Sequence, residues 1–451
     1  MPASITTQYL ERYQRLGTGD AGTILLPVTG AQRRFVLARS LDPAGRPDIV
    51  PLFFAFPRGT IDPVRLRTAA QHLAALHPAL RSRPSVVRAT PVLRVAEPDV
   101  PVAEVECAPG EDTTGALRRV LGEWTAKGAP LRLYLARGGR DTEEEVLAVV
   151  LDHAACDGQS LALLVEGLGA AYRDDSGPED VSPADAAAEL TAYREAVLLQ
   201  LDAEHRASSP AALAYWGERL RAVREKAPAP RADLHRAGTP STGTAETRMP
   251  APGAGAGAGV PFPALLDACR AAAAVLHGTG QVSPIGYPWG GRPAAAAPVL
   301  GCFLNTVVHP ADTGDAAPDP DATADGWWDD LDRADTPFDE VVHAARSTGS
   351  QWSGRLDGLL TVNDARRFPP LRLGGAVGRE THVGGRRIQA PFVVGVDQGT
   401  ELHVRMAWDR TVVDDRTAEE AFTALRSALP GSALLSSALP TALPTGAPAG
   451  T

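Results

Sequence analysis

The chain has 451 residues, of which 44% are hydrophobic and 22% charged, and its formal net charge is −10. That length is enough for large buried cores and two domains of ordinary globular composition. The acidic balance, without any long Lys/Arg run, gives no support to nucleic-acid binding, which needs a concentrated basic face.

Residues 1–16 lack a basic segment followed by an apolar core, so no secretory leader is expected. No apolar stretch reaches the length that spans a bilayer, so no membrane partner is expected. Cys107, Cys156, Cys269 and Cys302 are scattered, with no CxxC pair and no disulfide-like or zinc-like spacing. Reduced, buried thiols, no metal site and a cytoplasmic location follow as expectations.

In chain order, residues 5–16 predict a short amphipathic helix, and 31–38 and 48–56 predict strands. Pro63 after 60–62 marks a helix start, and 64–76 keeps apolar residues at helical spacing. Strands are expected at 91–96, 102–106 and 131–136, with a helix over 113–127 between the last two. The apolar, β-branched run 146–151 reads as a buried strand ending in Asp152-His153-Ala154-Ala155-Cys156-Asp157-Gly158, after which a helix runs from 159 to 172. Residues 174–183 are polar and turn-rich and mark a domain boundary.

Helical patterns follow at 183–201 and 210–223. Residues 226–259 are rich in Pro, Ala and Gly and end in an alternating Gly-Ala run. With no strand expected before it, no dinucleotide fingerprint and no P-loop Lys-Ser/Thr, this reads as a flexible surface loop rather than a phosphate cradle. Helices are expected at 263–277, 337–347 and 417–429, and strands at 356–362, 391–396 and 402–407. Residues 281–305 read as strand and loop, 311–325 as a polar loop, and the tail from 430 as disordered.

Among ten histidines, His153 alone has a suggestive setting. A histidine at a strand end can be held rigidly while facing a cleft, and its ordinary pKa allows proton exchange near neutrality. Gly158 lets backbone pass close to a substrate or another segment. Taken alone, such a histidine is more often a satisfied structural residue. Cys156, three residues on, raises a Cys-His nucleophile pair as an alternative to a small buried residue.

The pattern Asp152-His153-x-x-x-Asp157-Gly158 resembles the HHxxxDG signature of non-ribosomal peptide synthetase condensation domains and of the wider chloramphenicol-acetyltransferase-like superfamily. Five further landmarks stand in the same order. Thr29-Gly30-Ala31-Gln32-Arg33-Arg34 resembles S-x-A-Q-x-R, and His77-Pro78-Ala79-Leu80-Arg81-Ser82 resembles H-E-x-L-R-T. Ile285-Gly286-Tyr287-Pro288-Trp289-Gly290-Gly291-Arg292 is similar to I-G-x-P-x-x-G-R. Gly301-Cys302-Phe303-Leu304-Asn305-Thr306 is similar to G-x-F-V-N-T, and Asp335-Thr336-Pro337-Phe338-Asp339 to D-x-P-F-E. Together they cover nearly the whole chain.

The resemblance implies an α/β fold of two acetyltransferase-like subdomains, residues 23–178 and 179–430, arranged as a V with an active-site tunnel between them. Residues 1–22 become an N-terminal extension and 431–451 a tail. It further implies that a donor thioester on a carrier protein's phosphopantetheine arm enters one side, and an amine or alcohol acceptor the other. His153 then positions or deprotonates the nucleophile. Asp157 is implied to be structural and paired with an arginine, for which Arg292 is the candidate. Asn305 and Thr306 are implied at the subdomain junction, where substrate contact and backbone capping stay open as alternatives. Asp152 replaces the first signature histidine, which the family uses structurally, so it is expected to bond nearby backbone rather than orient His153.

No tightly bound cofactor is expected. No adenylation or carrier domain is recognisable, so the donor is expected in trans, and two complete halves in one chain favour a monomer. The leading reading is amide or ester formation from a carrier thioester in natural-product assembly. Acyl transfer from coenzyme A and a catalytically silent recruitment module are the alternatives.

Overall fold

The structure, a computed structural model, describes residues 4–17, 23–41, 48–125, 128–138, 143–224, 240–250, 259–290, 292–314, 319–364 and 369–430. The chain begins with α1 (Ile5–Leu16), β1 (Leu25–Leu26), α2 (Gly30–Leu41), β2 (Ile49–Pro57) and α3 (Pro63–Leu76). Next come β3 (Ser82–Val87), β4 (Thr90–Val95), β5 (Val102–Glu106), α4 (Thr113–Gly122), β6 (Leu131–Arg137), β7 (Glu144–Asp152), α5 (Gly158–Asp174) and α6 (Pro183–Ala207).

Two elements here correct the expectations. Residues 31–38 are helical, not a strand: α2 buries Gln32, Arg33 and Val36 at helical spacing, and its Gln, Arg, Leu and Ala residues favour helix. β3 was not expected. It forms a hairpin with β4 through a turn in which Arg88 and Ala89 both have positive φ, without the Gly or Asn that usually announces such a turn.

The second half contains α7 (Pro210–Arg219), β8 (Thr242–Pro250), α8 (Phe262–His277), β9 (Val282–Trp289), β10 (Asn305–Asp312), α9 (Pro320–Leu331) and α10 (Phe338–Ser347). It continues with β11 (Gly358–Asp364), β12 (Arg372–Leu373), β13 (Ala376–Val377), β14 (Arg379–Glu380), β15 (Phe392–Gln398), β16 (Glu401–Asp409) and α11 (Asp415–Ala428). β8 falls inside the expected loop 226–259 and directly precedes the Gly-Ala run. It is an edge strand of polar, Thr-rich sequence, so it carries little apolar alternation. Residues 226–239, most of the Gly-Ala run and the tail from 431 lie outside the described residues. α9 starts within the expected loop 311–325, where Asp319 caps the helix and Pro320 takes its first position.

A five-stranded sheet of order β14-β2-β7-β6-β5 forms the first half, and a six-stranded sheet of order β10-β9-β11-β15-β16-β8 the second. β7 is buried on both faces, which explains its continuous apolar run. Leu147, Val149 and Leu151 enter one core, while Val146, Ala148 and Val150 enter another beneath α4. In β16, Leu402, Val404, Met406 and Trp408 alternate into the second half's core.

The chain also crosses between the halves. β14 pairs with β2, and Thr381 N donates to the Phe53 carbonyl at 2.9 Å. Tyr193, Ala196, Val197 and Leu201 of α6, beyond the expected division at 178/179, are buried in the first half's core, as are Leu371 and Leu373.

Candidate functional site

His153 begins a single 3₁₀ turn between β7 and α5. Its ring is half-buried and stacks on Phe35, with centroids 5.1 Å apart and planes 23° apart. Nδ1 lies 3.2 Å from the Cys156 carbonyl oxygen. A carbonyl can only accept, so the hydrogen is assigned to Nδ1, and whenever the ring is neutral its lone pair is at Nε2. The loop thereby sets the tautomer with its own backbone, and no carboxylate is required for that task.

Asp152 stands apart from this arrangement. Its Oδ1 accepts from Ala154 N at 2.8 Å, the backbone bond expected from the sequence. The same oxygen takes Arg39 Nη2 of α2 at 2.7 Å, a partner the sequence did not indicate. Cys156 is 1% exposed and burial pushes its thiol well above the ordinary range, so it is a small buried residue and no nucleophile.

Asp157 caps α5 by accepting from Ser160 N at 2.9 Å. It also accepts from Ser160 Oγ at 2.8 Å and, across to the second half, from Phe303 N at 2.9 Å. Arg292 Nη2 reaches both Asp157 oxygens, at 2.9 and 3.1 Å, while its Nη1 donates to the Val299 carbonyl at 2.6 Å and its guanidinium lies over the Phe303 ring at 4.3 Å. The single Ser160 hydroxyl hydrogen is shared between Asp157 and the Gly301 carbonyl, 2.7 Å away, and the same oxygen receives Gly301 N at 3.0 Å. The signature loop is thus fastened to residues 292–303 where the two halves meet. Gly158 is exposed, and a Cβ placed on it would meet nothing within 4 Å.

Asn305 goes to backbone. Its Nδ2 donates to the Ala334 and Thr336 carbonyls at 2.7 Å each, and its Oδ1 accepts from Phe338 N at 3.1 Å. Of the two alternatives, capping is the one the geometry displays, and the amide has no proton left for a substrate. Thr306 follows on β10, half-buried and opposite Pro288.

The Thr29–Arg34 landmark supports the loop from behind. Thr29 Oγ1 donates to the Cys302 carbonyl at 2.9 Å, and Gln32 Nε2 donates to the Ala154 carbonyl at 2.8 Å and the Tyr193 hydroxyl at 3.0 Å. Arg33 forms a two-pronged pair with Asp339 at 2.9 and 3.1 Å. Glu204 of α6 accepts from Gly30 N at 2.9 Å, and burial raises its carboxyl to about 7.

From sequence, Asp48 is only the first residue of the strand expected at 48–56. His153 N donates to its carbonyl at 3.0 Å, so the two residues are neighbours across the ladder and the imidazole's charge acts on the Asp48 carboxyl. Burial raises its carboxyl, and the neighbouring His153, Arg34 and Arg39 act in the opposite direction. Among the described residues no group of three or more His, Cys, Asp or Glu side chains converges as a metal site, and no helix is long and apolar enough to cross a membrane.

No family model matches the chain. A Salinispora arenicola protein named as a probable non-canonical nonribosomal peptide synthetase (CymA) is 29% identical over 328 residues, which is 64% of this chain and 4% of that protein. Malformin synthetase mlfA of Aspergillus niger is 30% identical over 219 residues, 48% of this chain and 4% of its own length. The chain therefore spans a small fraction of the curated relatives it matches. The X-domain from teicoplanin biosynthesis superposes with a TM-score of 0.64 at 20% identity, covering 89% of this chain and 94% of that one. The first condensation domain of the CDA synthetase gives 0.60 at 18% identity, covering 90% and 96%. The epimerization domain from the third module of tyrocidine synthetase B gives 0.60 at 15%, covering 92% and 98%. The mixed α/β architecture is the acetyltransferase-like fold of these domains. In sequence the chain is similar to short segments of non-ribosomal peptide synthetases, and its fold is that of the condensation, epimerization and X-domains just named.

Proposed function

We propose that this domain joins an acyl, aminoacyl or peptidyl group, delivered as a carrier protein's phosphopantetheine thioester, to an amine or hydroxyl acceptor. The observation that carries this reading is the His153 ring. Its Nδ1 is held by the Cys156 carbonyl at 3.2 Å, its Nε2 makes no hydrogen bond among the described residues, and its loop is fastened where the halves meet. The exposed backbone at Gly158, with open space beside it, gives a slim thioester arm room next to that ring.

In the reaction, a nucleophile must lose a proton before or as it attacks the thioester carbonyl carbon. Nε2 takes that proton, the new C–N or C–O bond forms, the C–S bond breaks, and the departing thiolate recovers a proton from the imidazolium. The thioester is already activated, so no acyl-enzyme step is needed. A turnover assay with the same acyl group on a carrier protein and on coenzyme A identifies the donor class, with the carrier expected to win. His153→Ala is expected to abolish product formation while leaving the far-UV spectrum and melting unchanged.

A second reading, recruitment of a partner enzyme without chemistry, is favoured by one replacement and one likeness. Asp152 replaces the first signature histidine, and the similar teicoplanin X-domain forms a complex with OxyB. Product formation that is unaffected by His153→Ala would select this reading.

A further inference from the structure

We propose that Asp48 binds the acceptor as an ammonium ion beside His153, so that this domain takes an amine rather than an alcohol. The placement comes from strand register. The β2–β7 ladder pairs Ile49 with Asp152, and the bond from His153 N to the Asp48 carbonyl at 3.0 Å extends it by one step. Asp48 and His153 therefore stand directly opposite each other. Side chains so opposed project from the same face, with Cβ atoms about 5 Å apart.

The carboxylate is also left over by its surroundings. The charges of Arg34 and Arg39 favour the carboxylate, but their direct contacts lie elsewhere: Arg34 lies over the Phe338 ring at 4.2 Å, and Arg39 Nη2 holds Asp152 at 2.7 Å. Among the described residues no hydrogen bond or ion pair reaches the Asp48 carboxylate, although it is half-buried and burial disfavours its charge. A half-buried carboxylate that makes no direct hydrogen bond or ion pair among the described residues can gain one from an ammonium ion, and an alcohol brings no charge to it.

An ammonium ion on Asp48 is presented to the lone pair at Nε2. One of its protons passes through Nε2 to solvent, the neutral nitrogen attacks the thioester carbonyl carbon, and the C–S bond breaks. The second proton leaves nitrogen after the C–N bond forms and ends on the departing thiolate. Asp48 keeps its charge throughout and steadies the imidazolium.

This inference rests on His153 serving as the base, so the test reads binding before turnover. The ring signals of His153, identified by their loss in His153→Gln, are followed by NMR while the full chain is titrated with n-butylammonium and, separately, n-butanol. Saturable shifts with butylammonium, none with butanol at the same concentrations, and at least tenfold weaker ammonium binding in Asp48→Asn are expected. An equal response to both probes in the unaltered protein overturns the proposal, as does less than a tenfold change in Asp48→Asn. Ammonium binding without any acyl transfer to amines would leave Asp48 as a cation site and sink only the catalytic reading.

Discussion

The Arg292 guanidinium stands 2.9 Å from the Asp157 carboxylate, and each side chain is less than a tenth exposed. Asp157 accepts further bonds from Ser160 and Phe303, so this one carboxylate holds the start of α5 to the second half of the chain. Removing Arg292 alone leaves a buried charge without its partner, which costs about 3–5 kcal/mol. Urea unfolding of Arg292→Ala, Asp157→Ala and the double variant is expected to show that loss for Arg292→Ala, with the double variant well short of additive. A loss within 1 kcal/mol for Arg292→Ala would mean that the junction does not depend on the pair.

Glu204 gives the fold a pH dependence with a definite sign. Its carboxyl is raised by burial to about 7, against an ordinary value of 4.5 in the unfolded chain. Between those values the folded state holds a proton that the unfolded state has released. Stability from this group is therefore full below pH 4.5 and is lost as pH rises through about 7, by up to about 3 kcal/mol. Glu204→Gln keeps an oxygen for Gly30 N and removes the ionisation. The urea midpoint of the unaltered protein is expected to fall from pH 5 to pH 8 by more than that of Glu204→Gln; equal slopes would contradict the assignment.

The parts of the molecule legible from sequence are those where local pattern and environment agree. β7 is apolar because both its faces are buried, and α3 carries its Asp62 cap and Pro63 in the usual places. The pairing of Asp157 with Arg292 was available through resemblance, since both residues lie in landmark motifs. Asp48, Arg39 and Glu204 were not. Asp48 meets His153 through cross-strand register, Arg39 meets Asp152 from a helix that local pattern mistook for a strand, and Glu204 meets Gly30 across 174 residues. Register and long-range packing leave no periodic trace in one sequence. β8 was missed for another reason: an edge strand needs no continuous apolar face.

The thiols separate two mechanisms that share the signature loop. Cys156, Cys269 and Cys302 are buried and their thiols are raised by that burial, whereas Cys107 is partly exposed. Iodoacetamide on the folded protein is expected to leave those three unmodified, as read by mass spectrometry of digests. Cys156→Ala is expected to retain turnover within a few-fold. Rapid Cys156 alkylation that tracks loss of activity would instead support a covalent acyl-cysteine.

Asp152 tests whether the replaced signature position acts on structure or on the imidazole. Its Oδ1 joins Ala154 N to Arg39, while the His153 ring nitrogen is held by the Cys156 carbonyl. Asp152→Ala removes a cap, worth about 1 kcal/mol, together with a mostly buried ion pair, so a total loss of roughly 2–4 kcal/mol is expected. Asp152→Asn keeps an oxygen for the cap and is expected to lose less. Because the tautomer is set elsewhere, turnover of the folded Asp152→Asn protein is expected to fall less than tenfold. A carboxylate that orients a catalytic imidazole behaves differently, since its amide replacement costs on the order of 10⁴ in kcat. Parallel measurement of melting and turnover distinguishes the two: a large fall in kcat with melting unchanged would assign Asp152 to the chemistry, whereas loss of stability with turnover preserved leaves it as the anchor of the turn that carries His153.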